Sequence, residues 1–268
     1  MTPNPCAPHA TGVDNKDLIL DQFTRQAVPF STAPGITDDE ALRRLVEATS
    51  AGPDDTVLDV ACGPGLVVCA FARVVRHATG IDLTPAMLDR ARALAAKQGV
   101  TNIAWHQGDV EHLPFPDASF SIVTSRFAFH HFPNPPAVFA EMRRVCRPGG
   151  TVAIADLTAS PDPVKARAHD HAMRLIDPSH ARSLTATEID GLFTASDLGR
   201  PETTRYRLAA DLDAVLARSF PNPGDDVEIR RLFAASVDDD ALGLETRKVG
   251  DAIRFAYPVV IAVARTPG

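Results

Sequence analysis

Two aspartates carry the most chemistry in this 268-residue chain. Asp59 sits in the apolar alternation Thr56-Val57-Leu58-Asp59-Val60, which reads as a strand. The strand runs straight into Ala61-Cys62-Gly63-Pro64-Gly65. Glycines there allow a tight turn and let a ligand approach bare backbone, ahead of an apolar helix that starts at Leu66. Asp82 closes the next apolar stretch, 23 residues after Asp59, which is one strand–helix–strand step. A carboxylate at that strand end suits the paired hydroxyls of a ribose, so the loop is shaped for a nucleoside.

The loop argues against a dinucleotide. The pyrophosphate fingerprint G-x-G-x-x-G needs a third glycine, and none follows Gly63 and Gly65 in register. Pro64 also removes a backbone N–H that a phosphate would use. A zwitterionic amino-acid tail needs fewer anion donors, and Asp59 can hold its ammonium directly or through water.

A second constellation follows the fourth apolar strand. His130 and His131 lie at its carboxyl edge, and Asp156 ends the fifth strand on the same edge. Ligands of open α/β sheets bind there. Histidine titrates near neutrality and can take a proton from a phenol, enol or hydroxyl. Loop packing, or backbone contact with a bound cofactor, accounts for the two histidines equally well. Asn134-Pro135-Pro136 reads as the proline-rich entry to a helix. His169, His171 and His180 lack a third strong metal-ligand spacing and read as pocket-lining groups, with no metal expected.

These groups need elements to position them. Strands are expected near 56–60, 78–82, 103–107, 120–125, 150–155, 203–208 and 253–264. Helices are expected near 66–76, 85–98 and 136–146, the second entered through Thr84-Pro85. Asp14 to Phe30 is a candidate helix, with Phe23, Gln26 and Phe30 as lid residues or simple docking residues. Thr37 to Glu40 and Thr185 to Glu188 read as capping boxes. The expected division is a lid segment over 1–50 and a nucleoside-binding domain over 51–268. Acceptor-pocket elements fall at about 158–200 and an insertion at about 209–250. Met1 to Val13 reads as a loose tail.

Composition agrees with one enzyme domain. Hydrophobic residues make up 45%, enough to bury a core. The net charge of −7 disfavours nucleic acid as a partner. No apolar run spans a bilayer and no signal-like leader appears, so a cytoplasmic monomer or homodimer is expected. Cys6, Cys62, Cys69 and Cys146 form no C-x-x-C pair. Cys62 reads as a small residue in a tight turn.

The ordered set Asp59 to Gly65, Gly80-Ile81-Asp82, Gly108-Asp109-Val110-Glu111, Leu113 to Phe120, His130-His131-Phe132 and Arg147-Pro148-Gly149-Gly150 resembles the class I S-adenosylmethionine-dependent methyltransferases. The branch most similar holds ubiquinone and menaquinone C-methyltransferases and many natural-product methyltransferases. The resemblance covers about Asp55 to Ala155. It implies an α/β, Rossmann-like, doubly wound sheet of seven strands, mostly parallel with an antiparallel last strand, plus helical lid and insertion elements. It implies S-adenosylmethionine as cofactor and a small-molecule methyl acceptor. Asp82 would hold the ribose, and Leu83 and Met87 would pack on the adenine. Asp109 would take the adenine amine and the Val110 N–H a ring nitrogen. Phe23, Phe30, Asp59, Ala61, Gly63, Gly65, Gly108, Ser125 and Arg126 complete the expected cofactor set. Relatives share the double histidine without sharing an acceptor. Two other classes stay open: an NAD(P)-dependent oxidoreductase, opposed by the missing glycine, and a methyltransferase-like fold whose chemistry has changed.

Overall fold

Strand period two sorts the core into two layers. In β1 (Thr56–Val60), Val57 turns to one face, and Leu58 and Val60 turn to the other. The first face continues through Ile122, Ala153 and Ile261. It packs on α2 (Asp39–Ala48), α3 (Leu66–Ala72) and α4 (Pro85–Gln98) through Leu45, Val68, Phe71 and Leu88. The second face continues through Val123, Ile154 and Val260. It packs on α5 (Pro135–Val145) and α7 (Ala186–Ala195) through Phe139, Met142, Ile189 and Phe193. Every residue of β4 (Phe120–Arg126) is buried, which marks it as a central strand.

The structure, a computed structural model, describes residues 14–33 and 36–268. Its sheet runs in the order β3 (Ile103–Gln107), β2 (His77–Asp82), β1, β4, β5 (Cys146–Leu157), β8 (Ala252–Arg265), β6 (Glu202–Asp211). Strands β1 to β5 pair in parallel, and β8 is antiparallel to both β5 and β6. This is the doubly wound, Rossmann-like sheet expected, with one correction to the strand count. Among the described residues the sheet has eight strands, not seven, because β7 (Arg247–Val249) pairs with the start of β8. The turn between them is Gly250-Asp251, with Gly250 at φ +61°. Three exposed residues give no apolar alternation, so the sequence offers no sign of this strand.

The N-terminal boundary also shifts. α1 (Asn15–Thr32) is capped by the Asp14 carboxylate, which accepts from the Lys16 N–H. α2 is capped by Asp38 and not Thr37; Asp38 accepts from the Glu40 and Ala41 N–H groups. Leu42 and Leu45 of α2 are buried in the first layer, so α2 packs on the sheet. The tail expected over Met1 to Val13 lies outside the described residues. Between β6 and β8, α8 (Leu212–Ser219) and α9 (Asp225–Asp239) pack with α6 (Pro163–Ile176) around Ile229, Phe233 and Phe255. No helix among the described residues is long and apolar enough to cross a membrane.

Candidate active site

The β1–α3 loop is built to expose backbone. Ala61, Gly63 and Gly65 all take positive φ, at 57°, 50° and 80°. The Cys62 N–H donates to the Ile81 carbonyl, which ties the loop to the end of β2. The Asp82 carboxylate then accepts from the Gly63 and Thr84 N–H groups, both at 2.8 Å. A carboxylate has about four lone-pair sites, so two remain for a ligand diol.

An open cleft of about 990 Å³, counting the solvent at its mouth, lies on this loop. Asp59, Ala61, Gly63, Asp82, Leu83, Met87, Asp109, Val110 and Arg126 all line it, as expected of a shared site. Asp59 is fully buried and its Oδ1 has no hydrogen-bond partner. Burial pushes its carboxyl well above the usual range, and the nearby Asp82 charge adds to this against the opposing pull of Arg126. An orphaned buried carboxylate oxygen calls for a cationic donor. The wall is acidic, with Asp59, Asp82, Asp109 and Glu111 against Lys16 and Arg126. That charge suits a ligand bearing ammonium and sulfonium groups and opposes a pyrophosphate.

Three residues expected to bind cofactor turn away from the cavity. Gly65 caps α3, and a Cβ there would meet Trp105 at 2.7 Å and Ala91 at 2.8 Å. Its role is close helix–strand packing. The Gly108 N–H donates to the Asp82 carbonyl, and its bare Cα makes room for Ile81. Ser125 donates its hydroxyl to the Val60 carbonyl at 2.8 Å and joins β4 to β1. Strand alternation sends its neighbour Arg126 to the cavity instead.

One face of α1 closes this cavity. Lys16, Ile19, Phe23 and Phe30 line it, at near-helical spacing. Lys16 Nζ donates to Asp109 Oδ2 at 2.6 Å and to Glu111 Oε2 at 3.0 Å. Asp109 Oδ1 accepts from the Glu111 N–H. Both Asp109 oxygens are therefore engaged, Oδ2 by Lys16 and Oδ1 by the Glu111 N–H. Half-exposed ion pairs hold a helix weakly, by about 0.2–1 kcal/mol. Hydrogen exchange across α1 is accordingly expected to slow when S-adenosylhomocysteine is added. Equal protection with and without it would leave α1 as a docked helix and no lid.

A second cavity, of about 740 Å³, adjoins the first and shares Phe23, Phe30, Ile36, Phe127 and His131 with it. His130 lines only the second. Its Nδ1 stands 2.6 Å from Asp156 Oδ1. Asp156 also accepts from the N–H groups of Ala128, Phe129 and Leu157. With its oxygens given to four donors, and lining neither cavity, Asp156 is not placed to take a proton from a substrate. This corrects its expected role as a base: it orients His130. The carboxylate only accepts, so His130 Nδ1 carries hydrogen, and in the neutral ring Nε2 holds the lone pair. Burial lowers the His130 pKa, but the charge and hydrogen bond of Asp156 outweigh burial and raise it overall.

His131 is different. Its Nδ1 lies 3.2 Å from the Ser179 carbonyl oxygen and 3.1 Å from the Ser179 hydroxyl. Burial, reinforced by His130, pushes it down to about 3, so it stays neutral. Among the expected bases, only His130 combines a free ring nitrogen, an orienting carboxylate and a raised pKa.

The comparisons with known proteins agree with this geometry. Residues 58–154 match the family model described as a methyltransferase domain. YcgJ of Bacillus subtilis, named as an uncharacterized methyltransferase, is 32% identical over 196 residues, covering 73% of this chain and 78% of YcgJ. Its crystal structure superposes with a TM-score of 0.78 at 26% identity, covering 85% of this chain and 99% of YcgJ. The chain belongs to the class I S-adenosylmethionine-dependent methyltransferases. The 2-phytyl-1,4-naphtoquinone methyltransferase of Synechococcus elongatus is also 32% identical over 196 residues, covering 65% of this chain and 83% of that protein. The oxidoreductase reading is set aside by this membership.

The cavities are also lined by residues that the sequence did not single out. Lys16, Phe127, Arg218 and Tyr257 line the cavities. Only Lys16 had a usable signal, the one-face spacing it shares with Ile19, Phe23 and Phe30. His169 and His180 lie together, ring centroids 6.5 Å apart, with His169 bonded to Ser183 and His180 bonded to Asp170 and lining the second cavity; His171 is exposed. Burial raises the thiols of Cys62, Cys69 and Cys146, the last two to about 11, which leaves them unreactive.

Proposed function

We propose that the first cavity binds S-adenosylmethionine and the second binds a small-molecule acceptor, quinone-like or a natural product, that is methylated at O, C or N. The observation that carries this reading is the shared wall. Phe23, Phe30, Phe127 and His131 border both cavities, so the two compartments adjoin across one aromatic wall. Likeness to a naphthoquinone methyltransferase supports an acceptor with an apolar body.

In this reading Asp82 holds the ribose diol, Asp59 the ammonium, and Leu83 and Met87 the adenine faces. Asp109 and the Val110 N–H read its edge. Bound there, S-adenosylmethionine supplies a methyl carbon activated by its sulfonium. The chain's own work is alignment and proton removal. α1 excludes water with Phe23 and Phe30, and the two cavities fix the approach line. His130 Nε2 takes the acceptor's proton, with Asp156 holding the ring.

Titration calorimetry with S-adenosylmethionine and NAD tests the first half of the reading, and formation of S-adenosylhomocysteine with candidate acceptors tests the second. Tight NAD binding would overturn the first. Binding without turnover across a broad acceptor panel would favour changed chemistry.

Asp59→Asn should separate two effects of one carboxylate. The raised Asp59 pKa means that its charge costs the ligand-free fold stability as pH rises above the unfolded value. Asparagine removes that charge, so the melting temperature of the ligand-free protein should rise at pH 7. Cofactor affinity should fall about tenfold, since the ammonium loses its counter-charge. Thermal melts with and without S-adenosylhomocysteine read both signs, and a parallel drop in both would contradict the assignment.

A further inference from the structure

The second cavity is lined by a cation, Arg218, and a phenol, Tyr257, that make no ion pair and no side-chain hydrogen bond to another side chain among the described residues. Arg218 ends α8 half-buried, and its one described hydrogen bond is a long one, 3.4 Å, to the Ala214 carbonyl of its own helix. It makes no ion pair among the described residues. Tyr257, on β8, is buried, and its hydroxyl has no described partner. Burial pushes that phenol up to about 12, so it remains a donor.

The carboxylate nearest in the wall is already engaged. Asp177 accepts from the Ser179 N–H and hydroxyl through Oδ1 and from Gln26 through Oδ2. The carbonyl at the end of α8 is also covered, because the Gln22 and Gln26 amides both donate to the Ser219 oxygen. The remaining wall is mainly apolar, with Leu157, Met173, Ile176, Leu208 and Val215.

We propose that Arg218 and Tyr257 form the anion end of the acceptor site, and that the acceptor is an apolar-bodied monocarboxylate. This rests on the methyl-transfer reading above. One guanidinium and one phenol match a single negative charge. A dianionic phosphate would want a second cation, and Asp177 in the same wall opposes it. The sheet sets the length. His130 follows β4, and Tyr257 lies on β8, two strand steps away through β5. Two steps are roughly 10 Å, the reach of a substituted aromatic acid or a medium-chain acid. The carboxylate would anchor at Arg218 and Tyr257, and the atom to be methylated would lie beside His130 and His131. Apolar burial supplies the affinity and the anion contact fixes the direction.

The test uses the full chain saturated with S-adenosylhomocysteine. Calorimetry compares cinnamate and naphthoate with cinnamamide and naphthamide, and with phenyl phosphate. The acids should bind about tenfold more tightly than their amides. Arg218→Met should abolish the preference and Tyr257→Phe should weaken it, both with unchanged S-adenosylhomocysteine affinity. Equal binding of acid and amide, no acid binding, tighter binding of phenyl phosphate, or a preference that survives Arg218→Met would each overturn the proposal. Repeating the series without S-adenosylhomocysteine keeps the two readings apart. An acid preference in a protein that cannot bind S-adenosylhomocysteine would keep the anion site and remove the methyl-transfer reading.

Discussion

Replacing His130 by glutamine is expected to lower kcat by roughly 10²–10⁴-fold with cofactor affinity intact. Glutamine can keep a donor toward Asp156 but has no basic nitrogen to offer the substrate. The pH profile carries the second half of the prediction. Asp156 raises the His130 pKa above its ordinary 6.5. A base must be neutral, so kcat should climb with pH and level off only above that raised value. Stability runs the other way. The pairing of charged His130 with Asp156 contributes fully below the unfolded pKa and is lost as pH rises through the folded one. Asp156→Asn should move the activity limb to lower pH, which a merely structural role would not do. Losses below about tenfold in His130→Gln would mean that alignment alone drives the reaction.

Asp82→Ala should weaken S-adenosylmethionine binding by about 1.5–3 kcal/mol, or roughly tenfold to a hundredfold. The carboxylate does two jobs, because it also accepts the Gly63 and Thr84 N–H groups. Alanine leaves both donors without that acceptor, and buried unpaired donors cost about 1–3 kcal/mol each. A lower melting temperature of the ligand-free protein should therefore accompany the lost affinity. Asp82→Asn keeps one acceptor oxygen and should recover part of each. Calorimetry beside thermal melts decides the matter, and an unchanged dissociation constant in the alanine variant would remove the ribose assignment.

What the sequence made legible was local. Asp59, the glycine turn and Asp82 fall within one strand–helix–strand step, so their spacing alone places them together. The double histidine was legible in position but not in role. Which ring is the base depends on Asp156 and Ser179, which lie 26 and 48 residues away from His130 and His131. Gly65, Gly108 and Ser125 fall in the right segments but do not line the cavity: the two glycines serve close packing, and strand alternation gives the cavity to Arg126 in place of Ser125. Arg218 and Tyr257 had no signal at all. They meet because β6 and β8 pair and carry α8 with them, a tertiary event that leaves no periodic trace. β7 went unseen for the same reason: its pairing is made by a turn and not by a pattern.

α1 touches the nucleoside end through Lys16 and the far end through Gln26, and its aromatic face divides the two compartments. One rigid rod therefore answers to two occupants. Whatever free energy one occupant gives toward seating the rod is available to the other without being spent again, and linkage makes that gift symmetric. On the proposed occupancy, α1 would link the two binding equilibria, and each affinity would depend on whether the other compartment is filled.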